Sequence, residues 1–377
     1  MSSNNASFSI LKETEPKNEL FLEAAEKHLT KLETIKENLG GVGEGFVQHW
    51  MDNFSEVGSP LVINLDHNAS DENNLEEYIS KSEEVTEQLE DIVRKTAGHT
   101  AAYKMNSQSM LTFLVARKPR FVPEAKKIYR DECEDKFGIA IDPVFWIDEK
   151  IRDIPSTSYQ VGRSIYLLDF DAIHCMPQIG PDVAGALQIA ASELGNKGVV
   201  HVINMTHEGY KYVKKNYFKD ENETVELLRK NALGNLEFEV DIGKKREKVN
   251  LRTTGSIEPA NRPYEIFKSM ETYGDNVMII SIGIGPQGAL PGCALYGGAT
   301  CEGIGRFMYL TKGEFDLKNI KSKSRACKRS QLLALDAKYN SKPYPLDNIL
   351  SELKDFNPKL KEETKLGLYR VYSAMIK

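Results

Sequence analysis

Short, continuously apolar runs that end in polar residues recur along the chain and alternate with segments of helical spacing. The runs are PLVINLDHN (60–68), TAAYKMN (100–106), PVFWIDEK (143–150), FDAIHCMP (170–177), GVVHVINMTHEG (198–209), NVMIISIGIG (276–285) and ATCEGIGRF (299–307). Helices are predicted between them, near 72–96, 122–136, 158–168 and 181–194. Strands that are apolar throughout, rather than alternating, belong to a parallel sheet covered on both faces. One further strand counted within 235–254 brings the total to eight. Eight strand–helix units in about 250 residues predict an α/β chain folded as a (β/α)8 TIM barrel, with its site at the C-terminal strand ends. A doubly wound open sheet is the other arrangement the pattern allows.

The remaining chain is divided by the same reading. Residues 1–57 form an N-terminal extension, mobile to about 17, with a helix over 18–38 marked by Phe21, Ala25, His28, Leu29, Leu32 and Ile35. The barrel spans 58–312, with 235–254 as two strands around a Gly-Lys-Lys turn, a hairpin elaboration. Residues 313–377 hold a basic segment and C-terminal helices. GGVGEG (40–45) follows a helix and not a strand, so it reads as a helix stop and turn rather than a phosphate loop. The helix over 71–91 carries nine acids and one lysine, and 312–330 carries seven Lys or Arg against two acids. Both read as solvated surface.

Composition narrows the class. A formal charge of −6 opposes a general nucleic-acid binder. No apolar run reaches the roughly 18 residues of a membrane span, and the polar start lacks an apolar signal core, so a cytoplasmic protein is expected. Five cysteines without a CxxC pair favour reduced thiols over disulfides or zinc.

The polar residues that close each apolar run are the candidate chemistry. They are Asp66, Lys104, Asp148 and Lys150 with Asp153 beyond, His174, Thr206 with His207, Gln287 and Arg306. In a barrel these positions converge on one rim, and residues two apart on a strand, such as Asp148 and Lys150, point the same way. Desolvating each ion of a buried network costs several kcal/mol unless pairing is excellent. Carboxylates and ammonium groups concentrated at one rim are therefore read as functional, whereas His174 serves equally well as a satisfied structural histidine. SIGIGPQG (281–288) and GIGRF (303–307) place glycines after the last two barrel strands, where backbone N–H groups such as that of Gly305 often hold a phosphate. Gln287 and Arg306 can add side-chain donors there.

These residues resemble the orotidine 5′-phosphate decarboxylase family, of the superfamily that also holds 3-hexulose-6-phosphate synthase. DEKIRDIPST (148–157) is similar to its D-x-K-x-x-D followed by I-P-x-T. INMTHEG resembles M-S-H-P-G, ANRPYE resembles T-R-P-E, and SIGIGPQG and GIGRFMY resemble S-P-G-[IV]-G-x-Q-G and V-G-R-x-I-Y. LVINLDHN and AYKMN fit the first Asp and first Lys. The similarity spans roughly 60–310. The usual Pro of the seventh strand is Ile282, the Ser of the fifth is Thr206, and G-G-D after the glutamine becomes GAL (288–290).

The resemblance implies decarboxylation of orotidine 5′-phosphate to UMP within pyrimidine synthesis, without metal or organic cofactor. Lys150 would stabilise and protonate the C6 carbanion, beside Asp148 and Lys104. Asp66, Thr206, Gln287, Gly305 and Arg306 would hold the substrate. It further implies a homodimer with shared sites, in which Asp153 and Thr157 act in the neighbouring subunit. Asp153 as a cap of its own helix is the alternative. A metal-assisted aldolase of the 3-hexulose-6-phosphate synthase type and a non-catalytic nucleotide-binding barrel are the competing functions. No nucleic-acid or membrane partner is expected.

Overall fold

The computed structural model describes residues 7–16, 18–66, 74–149, 154–178, 180–203, 230–231, 233–243, 245–311, 314–356 and 359–377. Lys150, Asp153, Thr206 and His207 lie outside the described residues.

Eight parallel strands close into a barrel: β1 (Leu61–Leu65), β2 (Ala102–Asn106), β3 (Val144–Asp148), β4 (Ala172–Cys175), β5 (Gly198–Val202), β8 (Gly255–Pro259), β9 (Met278–Ile282) and β10 (Cys301–Ile304). Closure is made by β1 pairing with both β2 and β10, with Asn64 beside Lys104 and Val62 beside Gly303. The predicted barrel is therefore the observed one, with a correction at its sixth strand. Residues 235–254 supply only the hairpin of β6 (Leu233–Asp241) and β7 (Arg246–Arg252), which is antiparallel and separate from the barrel. The sixth barrel strand is the short β8 immediately after it, paired with β5 and β9.

Strand periodicity sorts two cores. Leu61, Ile63, Leu65, Tyr103, Phe145, Ile147, Ile173 and Ile279 point outward and pack under the surrounding helices. Val62, Ala102, Val144, Trp146, Ala172, Val200, Ile257, Met278 and Ile280 point inward. Both faces are buried and apolar, which is why the strands read as unbroken apolar runs.

The inward core continues into the N-terminal helices α2 (Glu19–Leu39) and α3 (Glu44–Val57). Trp50 of α3 lies 5.7 Å from Trp146 between ring centroids, and Phe46 packs edge-on to Trp146, so α3 plugs the barrel floor. Gly40 ends α2 and Gly43 precedes α3, both left-handed, which bears out the helix stop and turn. The expected mobility is corrected for residues 7–16: α1 (Ser9–Thr14) is formed, and Phe8, Ile10 and Leu11 are buried; residues 1–6 and 17 lie outside the described residues. Apolar side chains in an otherwise polar leader find the α3 face once it exists.

The basic segment is corrected too. It forms much of a helix, Ile320–Tyr339, that packs on α2 with Lys323 and Lys328 buried. Lys328 Nζ donates to the Val57 carbonyl at 2.7 Å, and burial pulls its pKa down to about 7. The acidic helix α4 (Leu75–Thr96) lies outside the barrel as expected, seating Val85, Leu89, Ile92 and Val93. Among the described residues no helix is long and apolar enough to cross a membrane.

Candidate active site

The inward rows of the barrel stay apolar to a fixed level and then turn polar. Above Val62 stand Asn64 and Asp66, above Ala102 stands Lys104, above Trp146 stands Asp148, and above Ala172 stands His174. The two-residue period of a strand delivers all of them into one mouth. Strand register brings them level, with Asn64 beside Lys104 and Asp148 beside His174.

The side chains meet. Lys104 Nζ lies 3.3 Å from Asp66 Oδ1 and 3.4 Å from Asp148 Oδ2. His174 Nδ1 lies 3.5 Å from Asp148 Oδ1. Lys104 is buried, and burial works to lower the pKa of its ammonium. The carboxylates of Asp66 and Asp148 overcome that penalty, and the net shift is upward. Lys104 therefore bridges two carboxylates at the end of an apolar barrel interior. His174, which the sequence left open, belongs to this group.

Asp66 is further fixed by its own N–H, which donates to the Tyr309 hydroxyl at 3.2 Å. Tyr309 follows the last barrel strand, so this bond ties the first strand end to the eighth. Gly305 is on the same side: a Cβ placed there would sit 3.7 Å from Asp66 Oδ2. Arg306 comes next and is exposed at the rim. Asn64 is an inward, buried residue that the sequence reading passed over. A Cβ at Gly303 would lie 2.9 Å from its Oδ1, so the glycine makes room for it. Its position two residues before Asp66 was the available signal.

The seventh loop is built around turns that need positive φ. Gly283, Gly285 and Gly288 have φ of 108°, 91° and 89°. Gly288 N–H donates to the Gly285 carbonyl at 2.9 Å, and Gly285 N–H to the Ala289 carbonyl at 3.0 Å. Ala289 and Leu290, where the family pattern has Gly and Asp, are buried in the outer core. The departure at 288–290 thus follows from burial of this loop. Gln287 presents a buried Oε1 that has no hydrogen-bond partner among the described residues.

Asp66, Lys104, Asp148, His174 and Gly305 are thus brought together, with Arg306 adjoining. Thr157 is not joined to them. It is exposed on the first turn of α7 (Pro155–Leu167), and among the described residues no hydrogen bond or ion pair links it to the array.

No family model matches the chain. It is 27% identical over 162 residues to the orotidine 5′-phosphate decarboxylase of Methanosarcina mazei, covering 43% of this chain and 63% of that protein. It is 26% identical over 178 residues to the orotidine 5′-phosphate decarboxylase of Pyrococcus abyssi, covering 47% and 70%. The chain thus spans under two thirds of the length of the first of these relatives. A crystal structure of a candidate orotidine-monophosphate decarboxylase from Toxoplasma gondii shares the fold, with a TM-score of 0.54 over 77% of this chain and 96% of that one at 16% identity. Fold and site define a parallel (β/α)8 barrel with an ionic array at the strand C-termini. Its sequence relatives are orotidine 5′-phosphate decarboxylases.

Proposed function

We propose that the protein decarboxylates orotidine 5′-phosphate to UMP and CO2, the step that would serve pyrimidine synthesis. The Asp66–Lys104–Asp148 array at the mouth carries the reading. Loss of CO2 from C6 leaves an electron pair with no conjugated acceptor, so the site must supply stabilisation through fixed charge. Lys104 holds the carboxylates of Asp66 and Asp148 in place. Lys150, two residues past Asp148 in the sequence, is the proposed proton donor to C6. Asp148 stands where the substrate carboxylate departs. Asn64, in the room left by Gly303, adds a polar side chain at the base of the mouth.

Gln287, Gly305 and Arg306 are assigned to the phosphate, Arg306 through a bidentate charge-assisted contact. Thr206, four residues past the last residue of β5 in the sequence, is assigned to the substrate. Binding energy gained at the phosphate, remote from C6, can be used to position the base.

Asp153 and Thr157 are assigned to the site of a second copy, in a two-fold dimer. The surface of α5 (Ser107–Val115) and α7 supports this. Leu111, Leu114, Ile154 and Leu167 are each more than half exposed there, and a cleft of about 590 Å³ runs between the two helices. Apolar side chains concentrated on adjacent helices mark an association surface.

The direct test is purified protein with orotidine 5′-phosphate, followed by absorbance, with and without EDTA. Turnover to UMP that EDTA leaves unchanged is expected. Folded protein that binds UMP and never turns over orotidylate would overturn the reading. Activity abolished by EDTA and restored by magnesium would overturn its cofactor-free form.

A further inference from the structure

The C-terminal segment does not simply cover the barrel; it reaches the rim at the seventh and eighth loops. A cleft of about 890 Å³ opens there, and Gly285, Pro286, Gly288, Arg306, Lys359 and Lys361 are on its wall. The segment is fastened to the loop by main-chain chemistry. Lys361 N–H donates to the Gly288 carbonyl at 3.0 Å, and the buried Thr364 hydroxyl lies 3.1 Å from both the Gly288 and Asn261 carbonyls. The Lys361 stem is laid directly on Gly288, where a Cβ would come within 2.3 Å of Lys361 Cγ. The position of Lys361 is therefore set by the loop that follows the seventh strand.

Three cations face one cleft. Among the described residues no carboxylate lies within 4 Å of Arg306, Lys359 or Lys361. The neighbouring acid Glu362 is engaged by Lys365 at 2.6 Å. Like charges gathered without counter-charge raise the local potential and favour an anion. Resting on the assignment of Arg306 and the glycine loops to the phosphate, we propose that Lys361, seconded by Lys359, is a specificity-determining residue for a phosphate monoester dianion. The C-terminal extension thereby contributes to substrate recognition from outside the barrel. Lys361 would add a point charge to the fork of Arg306, and its anchorage on Gly288 limits the conformational freedom lost on binding.

The test uses full-length protein and three probes: UMP, inorganic phosphate and uridine, titrated by calorimetry. Lys361→Met retains the stem over Gly288 and removes the charge; Lys361→Ala removes both. Both variants are expected to bind UMP and inorganic phosphate about tenfold more weakly, as for loss of one charged contact, with uridine unchanged. UMP binding by Lys361→Met equal to wild type, with weakening only in Lys361→Ala, would reduce the residue to packing and overturn the proposal. Equal weakening for uridine would do the same. Arg306→Ala separates the two readings. If it leaves UMP affinity intact, or if wild-type protein does not bind UMP, the phosphate assignment itself fails. If Arg306→Ala weakens UMP and Lys361→Met does not, only the role of the C-terminal segment fails.

Discussion

The barrel carries a buried charge cluster at each end, and the two differ in composition. At the floor, Asp171 just before β4 accepts from the Phe145 N–H at 2.9 Å. It also meets Lys126 at 3.0 Å, Lys197 at 3.1 Å and His49 at 3.2 Å. One carboxylate is shared among several donors from separate elements. At the mouth the stoichiometry reverses: Lys104 stands between Asp66 and Asp148, beside His174. The floor cluster braces α3, α6 (Phe121–Phe137) and the strand starts. The mouth cluster sits where strands end and open. Burial and ion pairing are common to both, so neither identifies a site; what separates them is which end of the strands they occupy.

Removing Lys104 should produce the largest effect. Lys104→Met leaves two carboxylates facing each other in a buried mouth, so kcat/KM is expected to fall at least ~10³-fold, equivalent to about 4 kcal/mol. Stability should also drop, since breaking a buried pair costs about 3–5 kcal/mol. Activity per folded molecule, with urea unfolding alongside, checks this. Retained turnover would make the mouth as structural as the floor.

Asp171→Ala is the counterpart. It should lose a similar ~3–5 kcal/mol of stability, because Lys126 and Lys197 are left without their shared partner. The kcat/KM of the folded fraction should stay within about twofold of wild type. A loss of turnover comparable to that of Lys104→Met would break the distinction between the two ends.

A pH series sharpens it. Burial opposes ionisation of Asp171, but the hydrogen bond from His49 and the charge of Lys126 outweigh it and hold the carboxyl well below its ordinary range. A depressed carboxyl pKa stabilises the fold above the unfolded value of about 4 and ceases to do so as pH falls through the folded value. The stability gap between wild type and Asp171→Asn should be constant from pH 6 to 8 and close on acidification below about 4. Each unit of depression corresponds to about 1.4 kcal/mol of that gap. A gap that widens in acid would contradict the assignment.

The smallest effect on folding is expected at the outer surface. Leu111→Glu on exposed α5 should change unfolding free energy by no more than about 0.5 kcal/mol. Sedimentation should show wild type as the proposed dimer and the variant as single chains; a variant that dimerises like wild type would remove α5 from the proposed interface.

How far the sequence revealed these features depends on the range of the interactions that make them. Seven barrel strands were legible because both faces are apolar. The sixth was not, because β8 is Gly-Ser-Ile-Glu-Pro and its outward Glu258 is buried with a hydrogen bond from Ser269 at 2.8 Å. A carboxylate in place of an outward aliphatic makes a strand look like a turn. Asp66, Lys104 and Asp148 were legible from the two-residue period past each apolar run. The burial of Lys328 was not, since its partner carbonyl on Val57 is remote in sequence. Nor was the contact of Lys361 with Gly288, which only tertiary folding creates.

The plugged floor makes the protein its own optical instrument. Trp50 and Trp146 are both of the tryptophans in the sequence, and both are fully buried, Trp146 inside the barrel and Trp50 in the helix that plugs its floor. Trp146 lies one inward position below Asp148 and 6.2 Å from the His174 ring. Intrinsic fluorescence therefore carries no surface background. Its quenching follows events at the mouth through Trp146, and its red shift follows withdrawal of α3 through Trp50. Ligand titration and floor opening can be read in one unlabelled sample.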